Sequence, residues 1–165
     1  KKKQPQKKKT NNNTASKKNN RIIYSDTQHI KFPLLLEQHQ LNIDSINTST
    51  HDSDSFSSGI CISSTSQNCF IGSDTLETNL KQLDLLGKNC SKKFLSEYIS
   101  NCTVDHHLAD MIIPFLSLSK TSSQFTTSYV SSHLQTNLDL CKSITGMNYK
   151  INKKNKFCYL VSINP

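Results

Sequence analysis

The second part of the chain has a regular pattern of apolar and polar positions, which begins just after Gly59. Two short apolar runs at residues 60–62 and 69–71 flank polar residues 66–68 and predict two β-strands joined by a turn. Apolar residues then recur at three- and four-residue steps, which predicts a helix near residues 78–100. The recurring positions are Leu83, Leu86, Cys90, Phe94 and Tyr98.

The pattern continues with two more helices and three more strands. A helix near residues 104–119 is expected to bury Val104, Leu108, Ile112 and Phe115, with an irregularity at its proline, residue 114. The remaining elements are a strand at 125–130, a helix that begins at 131–132, and strands at 147–151 and 157–163 joined by a turn at 152–155. The order ββααβαββ predicts an α+β fold with helices on one face of a sheet.

The chain before residue 59 lacks this regularity. Residues 1–21 have no apolar periodicity, so they are predicted to form a disordered, low-complexity tail or loop. Residues 22–58 hold a small apolar set followed by a polar linker from residue 47, and they are predicted to be the end of a larger unit. Residues 59–165 are predicted to be the ordered unit of the chain.

The net charge of +8 is unevenly distributed. Of the 20 Lys and Arg residues, nine lie within residues 1–21, which contain no Asp or Glu. Residues 22–165 therefore carry 11 basic and 12 acidic residues, a net charge of −1. The basic tail has two interpretations: it binds RNA phosphates by counterion release, or it is a solvated insert.

The composition also limits where the protein can act. The best apolar stretch, residues 111–116, is far shorter than the ~20 residues that a membrane-spanning helix needs. No apolar segment follows the charged start as it does in a secretory signal, and the six cysteines contain no CxxC pair. We therefore expect reduced thiols and a nuclear or cytoplasmic location. Because the first residue is lysine, the chain is predicted to be a fragment or a protein from which an upstream part has been removed.

The helix predicted near residues 104–119 carries the first candidate for chemistry. At about 100° per residue, His107, Asp110 and Met111 share one helical face. This face lies roughly a quarter turn from the predicted core stripe, where an imidazole and a carboxylate can line a cleft. Taken alone, a His–Asp pair at this spacing is more often a solvated surface pair than a site.

The second candidate lies at the start of the third predicted helix. Ser131 or Ser132 can cap this helix, which places His133 in its first turn. A helix N-terminus offers free N–H groups and a positive dipole end, both of which attract phosphate. Many histidines lie near helix starts, so His133 indicates a site only in combination with the segment that contains His107 and Asp110.

Four segments follow one another in a set order: residues 59–62 (GICI), 71–76 (IGSDTL), 104–114 and 132–137 (SHLQTN). Together they resemble the C-terminal part of RNA 3′-terminal phosphate cyclases over about residues 59–151. The resemblance implies that residues 59–165 are the last repeat unit of the cyclase-type large domain. It also implies that residues 22–48 are the end of the smaller domain inserted in that family.

The resemblance implies an ATP-dependent reaction on RNA. In the family, an RNA 3′-phosphate becomes a 2′,3′-cyclic phosphate with release of AMP and pyrophosphate, and a divalent ion (Mg²⁺ or Mn²⁺) offsets the triphosphate charge. His133 matches the family's nucleophile, which becomes adenylyl-histidine. His107 matches the position that stacks on adenine, and Asp110 matches an Asp that contacts the nucleotide or places the nucleophile. Met111 stands where the family usually has Gln, so one polar nucleotide contact is expected to be lost.

Two other functions stay open at this point. The first is a non-catalytic cyclase-like protein that binds RNA or assists ribosome assembly. The second is an α+β interaction domain in which the motifs are coincidental. The presence of both His133 and the segment with Asp110 favours the enzyme.

Overall fold

The computed structural model describes residues 21–24, 36, 39–41, 43–49, 57–66, 68–79 and 82–165, with backbone alone for residues 21–24, 83 and 84. The elements are β1 (Arg21–Tyr24), β2 (Ser58–Ser66), β3 (Cys69–Glu77), α1 (Leu83–Ser100), α2 (His106–Ser117), β4 (Ser123–Thr127), α3 (Ser132–Thr145), β5 (Asn148–Asn155) and β6 (Cys158–Asn164). Residues 1–20 of the predicted tail and most of the predicted linker lie outside the described residues.

The first sheet has the antiparallel order β1-β2-β3, and α1 covers one of its faces. Residues along β2 alternate between buried and more accessible positions, as expected for a strand with one covered face. Ile60 and Ile62 of β2 and Ile71 of β3 pack against Leu86, Cys90 and Phe94 of α1. Three of the five apolar positions predicted for this helix, Leu86, Cys90 and Phe94, are therefore confirmed as core.

The second sheet has the antiparallel order β4-β6-β5, and α2 and α3 pack with it to form a separate core cluster. Its fully buried members include Ile113 of α2, Leu134 and Leu138 of α3, and Val161 of β6. The α+β class is thus confirmed. The described strands form two small sheets rather than the one sheet that the sequence predicted.

The segment at residues 103–105 joins the two sheets. The N–H of Phe70 in β3 donates to the Thr103 carbonyl at 2.7 Å, and the N–H of Asp105 donates to the Phe70 carbonyl at 3.3 Å. On the other side, the N–H groups of Thr103 and Val104 donate to the Thr126 carbonyl of β4 at 3.2 and 3.1 Å. Because its backbone groups pair with both sheets, this segment holds the start of α2 in a fixed place.

Two details of the second core differ from the sequence prediction. In α2 the buried residues are Ala109, Ile113 and Ser117, whereas Phe115, predicted as core, is 76% exposed. The buried side of the helix is therefore rotated away from Phe115. The turn predicted at residues 152–155 is also wrong, because β5 continues to Asn155 and the turn lies at residues 156–157.

The position of the core on α2 leads to a stability prediction. Ile113→Ala is expected to lower the free energy of unfolding by about 2–5 kcal/mol, because it leaves a cavity at a fully buried position. Phe115→Ala is the matched control on the same helix and is expected to cost less than about 1 kcal/mol. Urea unfolding followed by circular dichroism measures both values, and an equal or larger loss for Phe115→Ala would contradict this packing.

Candidate active site

A cleft of about 330 Å³ lies between α2 and the face of the first sheet opposite α1. Strands β2 and β3 contribute Cys61, Ser63, Ser64, Thr65, Phe70, Ile71, Gly72, Ser73 and Asp74, and α2 with its cap contributes Asp105, His107, Leu108 and Met111. Two of the predicted site residues, His107 and Met111, are therefore at the cleft. Asp110 and His133, both among the described residues, lie outside its lining.

Asp105 fixes the end of α2 that faces the cleft. It is the N-cap residue of the helix, and its Oδ1 accepts a hydrogen bond from the Leu108 N–H at 2.8 Å. Its Oδ2 accepts a second bond from the Gly72 N–H of β3, also at 2.8 Å. One buried carboxylate thus caps the helix and attaches it to the strand across the cleft.

Asp110 connects α2 with the start of α3. The Ser131 hydroxyl donates to Asp110 Oδ1 at 2.5 Å, and the same oxygen of Ser131 accepts the Leu134 N–H at 2.9 Å as the N-cap of α3. His133 is the second residue of this helix and is exposed. The predicted helix start at Ser131-Ser132 is confirmed, and Asp110 lies one hydrogen bond away from it.

Pro114 strengthens the same connection. Proline has no N–H, so the helical bond that residue 114 would donate to the Asp110 carbonyl, four residues earlier, cannot form. The side-chain amide of Asn137 donates to that carbonyl at 2.8 Å. The helix continues past Pro114 to Ser117. The proline therefore leaves a free acceptor through which α3 binds α2 at the turn that carries Asp110.

At the other end of the site, Glu97 makes a third contact, which was not predicted from the sequence. The buried carboxylate of Glu97 in α1 is 2.5 Å from His106 Nδ1 and accepts a bond from the Ser128 hydroxyl at 2.6 Å. The His106 ring lies 3.9 Å from the His107 ring, centroid to centroid. Glu97 thus holds both the residue beside His107 and the loop that leads to Ser131. No sequence signal marks Glu97, since its partners are 9 and 31 residues away.

The cleft is largely apolar, with an aromatic side chain on each side. Phe70 of β3 is half exposed, and His107 and Met111 of α2 are exposed. Burial raises the pKa of the Cys61 thiol in the cleft, and the nearby carboxylate of Asp74 raises it further. A pocket of this size and character suits a flat, aromatic ligand such as a nucleobase.

The described residues give no sign of a protein-bound metal or of a membrane-spanning helix. No group of three or more His, Cys, Asp and Glu side chains among them is placed to hold a metal ion. The described side chains therefore do not form a binding site for a divalent ion on their own. The helices in the described ranges are all too short or too polar to cross a bilayer.

A sequence profile of the family described as RNA 3′-terminal phosphate cyclase matches residues 4–151. The match covers most of the chain, so this protein belongs to the RNA 3′-terminal phosphate cyclase family. The resemblance recognised in residues 59–151 is thereby confirmed and extends further toward the N-terminus.

Individual proteins that are similar to this chain are also named RNA 3′-terminal phosphate cyclase. The chain is 31% identical over 102 residues to the RNA 3′-terminal phosphate cyclase of Sulfurisphaera tokodaii, a match that covers 62% of this chain and 30% of the relative. It is 35% identical over 100 residues to the cyclase of Caldivirga maquilingensis, which covers 58% and 27% respectively. The matched region therefore spans less than a third of the length of these curated relatives.

Proposed function

We propose that this chain carries the nucleotide-transfer centre of an RNA 3′-phosphate cyclase and that His133 is the residue that receives AMP. The observation that carries the proposal is the hydrogen bond from Ser131 Oγ to Asp110 Oδ1. It joins α2, which lines the cleft, to the helix N-terminus at which His133 lies. This bond, together with the bond from Asn137 to the Asp110 carbonyl, would hold the adenine subsite next to the nucleophile.

The cleft suits the adenine base of ATP, and the first turn of α3 suits its phosphates. The base would occupy the apolar cleft and stack on His107, with Phe70 of β3 on the cleft's other side. Met111, 70% exposed, offers apolar contact there but no strong hydrogen bond. The phosphates would lie toward the first turn of α3, where free N–H groups and the helix dipole favour negative charge.

The chemistry assigned to His133 is a phosphoramidate exchange. An imidazole nitrogen attacks the α-phosphorus of ATP, a P–N bond forms, and the bond to the β-phosphate oxygen breaks with release of pyrophosphate. An oxygen of the RNA 3′-phosphate then attacks the same phosphorus, which breaks the P–N bond and frees His133. The neighbouring 2′-OH finally attacks the 3′-phosphorus, loses its proton, and displaces AMP as the ring closes.

Covalent labelling tests this function. The chain is incubated without RNA with ATP that carries the label on the α-phosphate, alone and together with the rest of the Sulfurisphaera tokodaii cyclase. We expect a protein-bound label that survives alkali and is lost in acid, as for a P–N bond, and no label from γ-labelled ATP. Absence of the α-label in both mixtures would contradict the proposal.

One observation favours a second function. Met111 cannot supply the polar contact expected from the glutamine usual at this position, which would weaken ATP binding. A cyclase-like protein that binds RNA without catalysis would tolerate this change. Such a protein is expected to give no label with α-labelled ATP and to bind RNA to the same extent with and without the nucleotide.

A further inference from the structure

The hairpin formed by β5 and β6 is the most basic part of the described chain. Residues 140–165 contain five lysines and no Asp or Glu. Three of these lysines, Lys153, Lys154 and Lys156, lie at or next to the hairpin turn and are exposed. Within the described ranges, none of the three forms an ion pair. Their charge is therefore available to an external anion.

Aromatic rings alternate with these lysines. Phe157 in the turn is 62% exposed, and the Nζ of Lys156 lies 5.2 Å from the centre of its ring. The Nζ of Lys153 lies 5.6 Å from the centre of the Tyr159 ring on the neighbouring strand. Lysines that can contact phosphates next to an exposed ring on which a base can stack are typical of surfaces that bind single-stranded nucleic acid.

The hairpin turn has a defined conformation. The pairing of β5 with β6 shifts register between Lys153 and Asn155, so Lys154 occupies a bulge. The Asn155 side chain accepts a hydrogen bond from the Phe157 N–H at 2.8 Å across the turn. Because the backbone of the turn is held in this way, the lysines and Phe157 form a defined surface.

This surface lies at the same end of the second sheet as the candidate active site. Tyr159 is paired with Thr127, the last residue of β4, which is four residues before Ser131. At no more than ~3.5 Å per residue and ~5 Å between paired strands, the turn lies within about 30 Å of the start of α3. Cys102 lies only three residues before Asp105, and its thiol contacts the Phe157 carbonyl at 3.8 Å.

We propose that Lys153, Lys154, Lys156 and Phe157, here called the lysine hairpin, bind single-stranded RNA. The inference rests on the proposed function for the position of the RNA, whose 3′ end would lie at His133 while preceding nucleotides contact the hairpin. Phosphates pair with the lysines and a base stacks on Phe157. Single-stranded RNA therefore uses both the charge and the exposed ring, whereas an acidic polypeptide needs the charge alone.

The test measures RNA binding by the whole chain without ATP. A labelled single-stranded RNA of about 12 nucleotides with a 3′-hydroxyl is titrated at several salt concentrations and followed by fluorescence anisotropy. The triple variant Lys153→Gln, Lys154→Gln, Lys156→Gln is compared with a control of equal charge, Lys88→Gln, Lys92→Gln, Lys120→Gln. All six lysines are exposed, and circular dichroism checks that both variants keep the fold.

We expect the hairpin variant to weaken binding and to lower the slope of log Kd against log salt by about 2, since each phosphate contact contributes about 0.7. The control is expected to change the slope by less than half of that. Phe157→Ala is expected to weaken binding about 5- to 150-fold without changing the slope, because it removes stacking and no charge.

Several results would overturn this inference. Equal effects of the two triple variants would assign RNA binding to net charge and the basic tail, which all variants share. Polyglutamate that binds the unaltered chain as tightly as RNA would identify a general polyanion surface, and failure of the unaltered chain to bind RNA would exclude the proposal. Because this test contains no ATP and the labelling test contains no RNA, failure of one leaves the other unchanged.

Discussion

His133→Asn is expected to abolish covalent labelling by ATP that carries the label on its α-phosphate. Asparagine has a similar size and retains polar atoms, but its amide nitrogen has no lone pair free to attack phosphorus. The side chain is exposed in the first turn of α3, so the fold should be preserved. The measurement is the labelled fraction after denaturation, with the thermal midpoint recorded in parallel.

A matched control separates this role from a general effect of losing an imidazole. His39 is an exposed histidine outside the cleft lining and the α2–α3 contact, and His39→Asn should leave the label unchanged. Mass spectrometry of the labelled peptide should place AMP on His133. A label that persists in His133→Asn, or that maps to His107, would move the nucleophile elsewhere in the chain.

The starts of α2 and α3 could be predicted from sequence because helix starts depend on local signals. Asp105 and Ser131 each accept the backbone N–H of the residue three positions later, a pattern that a few adjacent residues determine. The C-terminal end of α1 and its buried positions followed from apolar periodicity for the same reason, whereas the helix begins at Leu83 and not near residue 78 as predicted. In each case the interaction and its sequence signal lie within one or two helical turns.

The predictions that were wrong concern features that depend on partners distant in sequence. Phe115 looked like a core residue, but the contact of α2 with α3 and the second sheet buries Ile113 instead. The polar residues 152–155 looked like a turn, yet they remain in β5 because β6 supplies the pairing partner. The connection between the two sheets depends on the hydrogen bonds of Thr103, which no periodicity indicates.

The candidate active site shows the same difference between local sequence signals and contacts that are distant in sequence. His107, Asp110, Met111 and His133 could be selected from two short segments and their resemblance to one family. The contacts that organise them could not, since Ser131 and Asn137 lie 21 and 27 residues from Asp110. Glu97 was missed entirely, because a carboxylate on a polar helix has no feature that predicts burial against a histidine and a serine.

Loss of the contact between Asp110 and Ser131 is expected to have the second large effect on labelling. Asp110→Ala removes the carboxylate that accepts the Ser131 hydroxyl, while Ser131 keeps its bond to the Leu134 N–H and continues to cap α3. A hydrogen bond to a charged group contributes about 1.5–3 kcal/mol, which corresponds to about a 10- to 150-fold slower rate of labelling if the bond places the helix start. Asp110→Asn retains an acceptor oxygen without the charge, so an intermediate rate is expected.

Asp139→Ala provides the matched control, because Asp139 is an exposed carboxylate on α3 that accepts hydrogen bonds from Tyr149 and Gln135. The Tyr149 bond lowers the pKa of Asp139. Its removal should leave the labelling rate unchanged, since it lies two turns beyond His133. If Asp110→Ala instead lowers the thermal midpoint as much as Ile113→Ala and leaves the labelling rate of the folded fraction intact, Asp110 stabilises the helix pair and has no part in placing His133.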